Sequence, residues 1–215
     1  MNLKRELPIL IIVALPFIYL GYIWNELPAK VPLHWNIHGE IDRYGDKIEL
    51  LIVPFLLPFL VYLIFLVVPK IDPKKKLQKM GGKFQTIKFI LTTFMSILAL
   101  FIIYTAKNQS ITNPNYIVLF VGVLFIILGN YFQTIKPNYF IGIRTPWTLE
   151  NDDNWKETHK LGGKLWFIGG ILIVVLSLIL DKSLNFTAFL IITGVIVIIP
   201  VVYSYLLYRN ERNLA

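Results

Sequence analysis

Histidine, asparagine and carboxylate side chains cluster in one polar segment, residues 25–49. His34, Asn36, His38 and Asp42 offer nitrogen and oxygen atoms of the kind that bind Zn²⁺ or activate water. In an extended strand, however, two histidines four residues apart lie about 13 Å from each other, too far to share an ion. The spacing matches no established ligand motif, and hydrogen bonds within the loop would explain the same residues. A metal-dependent membrane enzyme, with His34, His38 and Asp42 as ligands, therefore stays an alternative.

The same segment alternates between apolar residues and polar residues or proline. Val31, Leu33, Trp35 and Ile37 alternate with Pro32, His34, Asn36 and His38. This period of two predicts a short strand with one apolar and one polar face. Gly39 predicts a turn directly after it. We therefore expect a short β-like loop.

A second polar segment, residues 133–163, carries the other candidate chemistry. His159 lies two residues from Glu157, so the pair could act as general acid and base on a lipid or a peptide. The chain has no H-E-x-x-H sequence and no nucleophile elbow, the motifs expected of a zinc or serine hydrolase. We therefore predict no enzymatic activity and no cofactor.

Part of this second segment has the pattern of an amphipathic helix. Thr148 suits a helix N-cap, because acidic residues follow it in the first turn. Lys156, Lys160 and Lys164 recur every four residues and form one basic stripe. We predict a helix that lies along the cytoplasmic membrane surface, with these lysines against anionic lipids.

Six apolar stretches separate the polar segments and determine the fold class. The 215 residues are 56% hydrophobic with a mean hydropathy of +0.63, well above a soluble domain. The stretches are close to the roughly 17 to 25 residues that cross a bilayer. They run near Leu7–Trp24, Leu50–Val68, Phe89–Tyr104, Tyr116–Phe132, Leu165–Leu180 and Leu184–Tyr208. The sequence therefore predicts an all-α integral membrane protein with six transmembrane helices.

The distribution of basic residues predicts the orientation. Of the 21 Lys and Arg residues, sixteen fall at the N-terminus, in residues 70–88 and 136–164, and at the C-terminus. Because such residues concentrate in cytoplasmic loops, we predict both termini in the cytoplasm and residues 25–49 outside. The topology also explains the net charge of +8. We predict no direct nucleic-acid partner, since the basic residues form no continuous stripe with stacking aromatic residues.

The centres of the six apolar stretches contain no Asp, Glu, Lys, Arg or His. Ion-coupled carriers and pumps need such a group inside the bilayer. The chain also has no P-loop motif that would supply energy from ATP. A transporter or exporter is therefore an alternative with little support.

Glycine and proline residues in the apolar stretches predict packing and kinks. Gly122 with Gly129, and Gly163 with Gly170, recur at seven residues and would permit close contact between helices. Prolines predict kinks where they interrupt helical hydrogen bonding. They are Pro8, Pro16, Pro54, Pro58 and Pro200.

Two motifs in the polar segments are long enough to compare with known families. One runs from Gly129-Asn-Tyr-Phe-Gln-Thr-Ile-Lys-Pro-Asn-Tyr-Phe-Ile-Gly-Ile-Arg-Thr-Pro-Trp-Thr-Leu149 on to Trp155, Thr158-His159 and Gly162-Gly163. The other is Pro32-Leu-His-Trp-Asn-Ile-His-Gly-Glu-Ile-Asp42, continuing to Lys47. Together with the number of spans, they closely resemble SdpI-type immunity proteins, in which a DUF1648-like region precedes the longer motif. The resemblance implies residues 1–70 as the DUF1648-like region and residues 71–215 as an SdpI-like four-span region.

The resemblance implies a function in the bacterial cytoplasmic membrane. Such proteins protect a bacterium against a secreted peptide toxin of the SDP type that attacks its own membrane. In the family's best-known system the protein also sequesters a small ArsR-type autorepressor at the membrane and so induces its own operon. The implied partners are therefore the toxin outside and the autorepressor at the cytoplasmic face.

The motif positions supply two sets of candidate site residues. The set expected to face the toxin is His34, Asn36, Gly39, Asp42 and Lys47. The set expected to serve signalling or partner binding in the cytoplasm is Asn138, Gly142, Arg144, Thr145, Pro146, Trp147, Trp155, Thr158, His159 and Gly163.

Overall fold

The computed structural model describes residues 3–110 and 113–214. Within these ranges six helices are long and apolar enough to cross a membrane, which confirms the predicted number of spans. They are Lys4–Glu26, Lys47–Ile71, Gly82–Asn108, Asn115–Phe132, Asp152–Ile179 and Lys182–Arg212. The third and fifth helices are much longer than the apolar stretches that predicted them, because both continue into polar residues.

The helices α1 to α8 have the following bounds. They are α1 Leu3–Ile23, α2 Ile52–Pro54, α3 Leu60–Ile71, α4 Gly82–Asn108, α5 Asn115–Phe132, α6 Pro146–Glu150, α7 Asp152–Ile179 and α8 Lys182–Leu214. A 3₁₀ turn, Lys47–Leu51, leads into α2, and a π-helical turn, Phe55–Phe59, joins α2 to α3. Pro58 lies inside that π turn and lacks a backbone N–H, which explains the local departure from α-helical bonding.

Two strands form an antiparallel hairpin between α1 and α2. They are β1 Lys30–Trp35 and β2 Ile41–Asp46, and Lys30 pairs with Asp46 at the base. The predicted apolar face is confirmed at Val31, which is fully buried, but Ile37 is exposed. Ile37 leaves the apolar face because the strand ends at Trp35 and the chain turns there.

The chain forms two compact units. The first comprises residues 1–71 and 84–114, and the second comprises residues 72–83 and 115–215. In the first unit, Leu27 and Val31 of the hairpin region pack against Leu20, Ile23 and Ile103 of α1 and α4. The apolar side of the hairpin is thereby fixed to the helix ends of its own unit.

The first unit also contains a buried ion pair. Glu6 of α1 and Lys88 of α4 lie 2.5 Å apart, with only 3% and 2% of their side chains exposed. The Tyr62 hydroxyl of α3 donates a second hydrogen bond to Glu6, at 3.1 Å. Lys88 is thus buried within a helix. Its place among the basic residues of 70–88 had suggested a loop residue instead.

In the second unit, glycines bring α5 and α7 into backbone contact. A Cβ atom on Gly163 would lie 2.8 Å from the carbonyl oxygen of Gly129, and one on Gly170 would lie 2.7 Å from that of Gly122. The predicted close packing at these four glycines is confirmed.

Candidate functional site

The tip of the hairpin is a tight turn ordered by Asn36. The Asn36 side-chain oxygen accepts hydrogen bonds from the backbone N–H groups of His38 and Glu40, at 2.9 and 3.0 Å. Its amide nitrogen donates to the Glu40 carboxylate at 2.8 Å. Gly39 has φ +81°, a left-handed conformation that favours glycine. Asn36 and Gly39 therefore shape the tip, which holds the polar side chains beside it in place.

An exposed histidine–aspartate pair lies just below this tip. His34 Nδ1 on β1 is 2.6 Å from Asp42 Oδ1 on β2, with 66% and 44% of the side chains exposed. His38 lies in the turn instead. Within residues 3–110 and 113–214, no three His, Cys, Asp or Glu side chains converge in a way that could hold a metal ion. The alternative metal site at His34, His38 and Asp42 is therefore not supported.

The base of the hairpin is fixed by charged side chains. Lys47 donates to the Trp24 carbonyl oxygen at 3.3 Å and lies over the Trp24 ring, 4.9 Å from its centroid. Asp46 and Glu49 form a capping box at the 3₁₀ turn, and Arg43 is 3.1 Å from Glu49. Lys47 thus anchors the base, whereas His34 and Asp42 are presented to the surroundings.

The second candidate site begins with a turn after α5, in the second unit. Asn138 is buried, and its amide donates to the carbonyl oxygens of Lys136 and Ile141, both at 2.9 Å. Its side-chain oxygen accepts from the N–H groups of Phe140 and Ile141, at 2.8 and 2.7 Å. All four bonds hold the backbone of this turn, so Asn138 is a structural residue rather than a contact surface.

His159 of α7 joins this turn to the helix. Its Nε2 accepts from the Ile143 N–H at 2.9 Å, and Nδ1 donates to the Trp155 carbonyl oxygen at 2.8 Å. The Trp155 ring stacks on the imidazole with centroids 4.0 Å apart. Gly142 has φ +110°, and a Cβ there would meet the His159 ring. Both ring nitrogens are engaged, so His159 has none left for proton transfer with Glu157.

A hydroxyl network fixes the short helix α6 against α8. Thr145 is the N-cap of α6, its backbone N–H donates to Thr148 Oγ1 at 2.9 Å, and Pro146 follows at the first helical position. The Trp147 indole donates to Ser204 Oγ of α8 at 2.5 Å and stacks near Tyr208. These contacts leave Trp147 half-buried and Pro146 exposed.

The predicted amphipathic surface helix is wrong in two respects. α7 is one continuous helix from Asp152 into the fifth span, so its lysines belong to the start of a spanning helix. The N-cap is Asn151, whose side-chain oxygen accepts from the N–H groups of Asp153 and Asn154, while Thr148 is buried inside α6. The basic stripe itself is present, since Lys156, Lys160 and Lys164 are all exposed.

Arg144 is an exposed cationic residue of the signature segment. Its guanidinium donates to the Tyr139 carbonyl oxygen at 2.6 Å and otherwise faces outward. Beside it is an open cleft of about 580 Å³ whose lining includes both lysines and carboxylates. The lining residues are Lys74, Lys76, Tyr139, Pro146, Leu149, Glu150 and Asp152.

Tyr139 lies close to both lysines of this cleft. Lys74 and Lys76 lie 5.6 and 5.7 Å from the centroid of its ring. A hydrogen bond to the Tyr139 side chain raises the pKa of Lys74 above its usual value. The cleft and Arg144 therefore form a surface of mixed charge.

Several contributors to this second site escaped sequence analysis. Asn154 donates to the Ser204 carbonyl oxygen at 2.9 Å and accepts from Thr158 at 3.1 Å. Ser204 is fully buried and lies about fifty residues further along the chain. A small polar residue within the apolar run of α8 was the available signal, because such residues bond across helices in membranes.

The fold and these two sites define a multi-pass membrane protein with an anchored hairpin in one unit and a rigid, capped polar segment in the other. Residues 134–204 match the SdpI/YfhL protein family, and residues 11–57 match a domain of unknown function, DUF1648. Two parts of the chain thus match these two family models, which confirms the resemblance found in the sequence.

Individual proteins are similar over different lengths. The immunity protein SdpI of Bacillus subtilis (strain 168) is 27% identical over 177 residues, 81% of this chain and 82% of that protein. An uncharacterized protein of Archaeoglobus fulgidus is 44% identical over 45 residues, 21% of this chain and 25% of that protein. No solved structure matches the chain.

Proposed function

We propose that this protein is a bacterial immunity protein that protects the cell against a secreted peptide toxin of the SDP type. The observation that carries the proposal is the 27% identity to an immunity protein over 81% of the chain. The role is non-enzymatic, which agrees with a buried His159 whose ring nitrogens are both engaged. Protection would rest on binding rather than on chemistry.

The proposed topology has both termini in the cytoplasm of the bacterial cytoplasmic membrane. Six spanning helices and the concentration of basic residues at 70–88 and 136–164 support this orientation. It places the hairpin outside, and Arg144 and the cleft inside. Because the chain contains no cysteine, the variants Ile37→Cys and Leu149→Cys would each carry a single cysteine that can be labelled. An impermeant maleimide should label intact cells at 37 and not at 149, and the reverse pattern would refute the orientation.

The proposed toxin-binding surface is the exposed face of the hairpin. His34 and Asp42 project from a tip that Asn36 and Gly39 hold rigid, and the base is anchored through Lys47. A rigid polar surface loses little conformational entropy on binding. An extended peptide could approach it directly from outside the cell.

Replacing Asp42 with alanine should weaken binding of an SDP-type peptide about tenfold, the loss typical of one important interface residue. The change removes a carboxylate and also releases His34 from its 2.6 Å contact. Binding of a fluorescent peptide to the purified protein in lipid nanodiscs measures the effect. Lys30→Ala is the matched control, because it removes another exposed ion pair of the same hairpin, Lys30–Asp46. Equal binding by the Asp42→Ala and wild-type proteins would place toxin recognition elsewhere.

The surface formed by Arg144, Trp147 and the adjoining cleft is the proposed docking site for an ArsR-type autorepressor. Toxin binding would favour one of two helix packings, and the cytoplasmic surface would report that change. The exposed lysines at the start of α7 would at the same time contact anionic lipids.

Arg144→Ala should reduce toxin-dependent recruitment of a fluorescent autorepressor to the membrane by about tenfold or more, since arginine is a frequent anchor of interfaces. Membrane abundance should stay unchanged, because Arg144 is exposed and makes one backbone hydrogen bond. Fluorescence microscopy of cells with and without toxin measures recruitment. Lys136→Ala, another exposed basic residue of the same segment, is the control. Loss of abundance in Arg144→Ala would show a structural role instead.

A further inference from the structure

A small cleft opens on the surface of the second unit where α5 and α7 meet. Its volume is about 240 Å³. The seven residues that line it are Gly129, Asn130, Gln133, Gly163, Lys164, Phe167 and Ile168. It exists because Gly129 and Gly163 have no side chains to fill the space where the two backbones approach. We propose that this cleft binds one anionic glycerophospholipid, with the phosphate at Lys164.

The polar end of the cleft suits a phosphate group. The side chains of Lys164, Asn130 and Gln133 are exposed, and none of these side chains has a hydrogen bond or ion pair to another residue within 3–110 and 113–214. The lining includes no Asp or Glu. It thus offers one cation and two amides that can donate hydrogen bonds, with no carboxylate to repel an anion.

The apolar end of the cleft suits acyl chains. Phe167 and Ile168 are 39% and 56% exposed on a spanning helix, so both are open to lipid. They follow Lys164 by three and four residues, so they lie on the same face and about 6 Å deeper along the helix. The cleft is therefore polar at one end and apolar at the other, as a phospholipid is.

The position of the cleft along both helices agrees with the membrane boundary. In α7 Lys164 is the last charged residue, because residues 165–179 contain none. In α5 Asn130 lies near the C-terminal end of the helix, directly after the apolar residues 116–129. Both helices thus change from apolar to polar at the level of the cleft, where a lipid headgroup would lie.

Lys164 differs from the other lysines of its stripe. Lys160 lies 3.7 Å from Glu157, and neither Lys156 nor Lys160 lines the cleft. The stripe as a whole attracts an anionic membrane surface, whereas the cleft retains one lipid at a defined place. The inference rests on the proposed membrane location but not on immunity, and it holds for either orientation.

Native mass spectrometry of the full-length protein in detergent, titrated with dioleoylphosphatidylglycerol or dioleoylphosphatidylcholine, tests the proposal. We expect one phosphatidylglycerol to bind more tightly than any phosphatidylcholine. Lys164→Gln should weaken that event about fivefold, the effect of one basic residue at a membrane surface. Lys156→Gln, a change of the same kind outside the cleft, should leave it unchanged.

Three outcomes would overturn the proposal. Equal binding of the two lipids would show that the cleft has no preference for an anionic headgroup. Equal weakening by Lys164→Gln and Lys156→Gln would show diffuse attraction to the stripe. Displacement of the lipid by an equal concentration of glycerol 3-phosphate would show a site for soluble phosphates. None of these measurements involves the toxin, so their failure is distinct from a failure of the immunity function.

Discussion

Replacing Lys88 with methionine should lower the free energy of unfolding by about 3–5 kcal/mol, the typical cost of removing one partner from a buried ion pair. Glu6 would remain in a site where 3% of its side chain is exposed, with the Tyr62 hydroxyl as its remaining hydrogen-bond donor. Unfolding of the purified protein in mixed micelles, followed by tryptophan fluorescence, measures the change.

Two further variants make this prediction specific. Lys83→Met changes an exposed lysine of the same helix and should have little effect. The double variant Glu6→Gln with Lys88→Met should be less destabilised than Lys88→Met alone, because it leaves no unpaired charge and keeps an acceptor for Tyr62. If Lys88→Met and Lys83→Met unfold alike, the ion pair does not stabilise this unit.

Gly129→Ala should destabilise the protein by about 1–3 kcal/mol or more, the usual cost of overpacking a close contact. The added Cβ would lie 2.8 Å from the Gly163 carbonyl oxygen and 3.0 Å from Phe167 Cα. These are backbone atoms that cannot rotate away, so α5 and α7 would have to separate. The same unfolding assay measures the loss.

Gly194→Ala is the matched control for this change. Gly194 lies within α8, and a Cβ there would have nothing within 4 Å. The methyl group should therefore be neutral, or stabilising by up to about 1 kcal/mol through helix propensity. A Gly129→Ala protein as stable as Gly194→Ala would contradict the tight helix contact.

The parts of the fold that depend on local pattern were predictable from the sequence. Long apolar runs predicted six spans, and glycines seven residues apart predicted close helix packing at Gly129 and Gly163, although not that these two glycines contact each other. Alternation predicted β1 as far as Trp35. The helix ends were less predictable, because hydropathy detects only the apolar part of a helix such as α7, whose polar first turns are packed by Trp155 and His159.

The partners of buried polar groups were not predictable. Glu6 and Lys88 are 82 positions apart, and each by itself has the pattern of a charge at a helix end. Ser204, which accepts a hydrogen bond from the Trp147 indole, lies in an apolar run typical of a lipid-facing helix. Such pairings depend on which helices pack together, and a single sequence does not specify that.

The same contacts divide the signature residues by role. Asn138, Gly142 and His159 hold the segment together through buried bonds or close packing, so their substitution should affect folding first. Arg144 and the exposed part of Trp147 remain available to a partner. On the hairpin, Asp42 and His34 are likewise exposed and available to a partner. Lys47 instead anchors the base of the hairpin.

Survival of a toxin-sensitive bacterium is the most direct test of the proposed immunity. Cells expressing the wild-type protein, Asp42→Ala or Arg144→Ala at equal membrane abundance would be exposed to purified SDP-type peptides. We expect the wild-type and Arg144→Ala proteins to protect and Asp42→Ala to lose most protection, since the hairpin is the proposed toxin-binding surface and Arg144 belongs to the proposed signalling surface. Killing of cells that express the wild-type protein, at the same peptide concentration as cells without it, would contradict the immunity function.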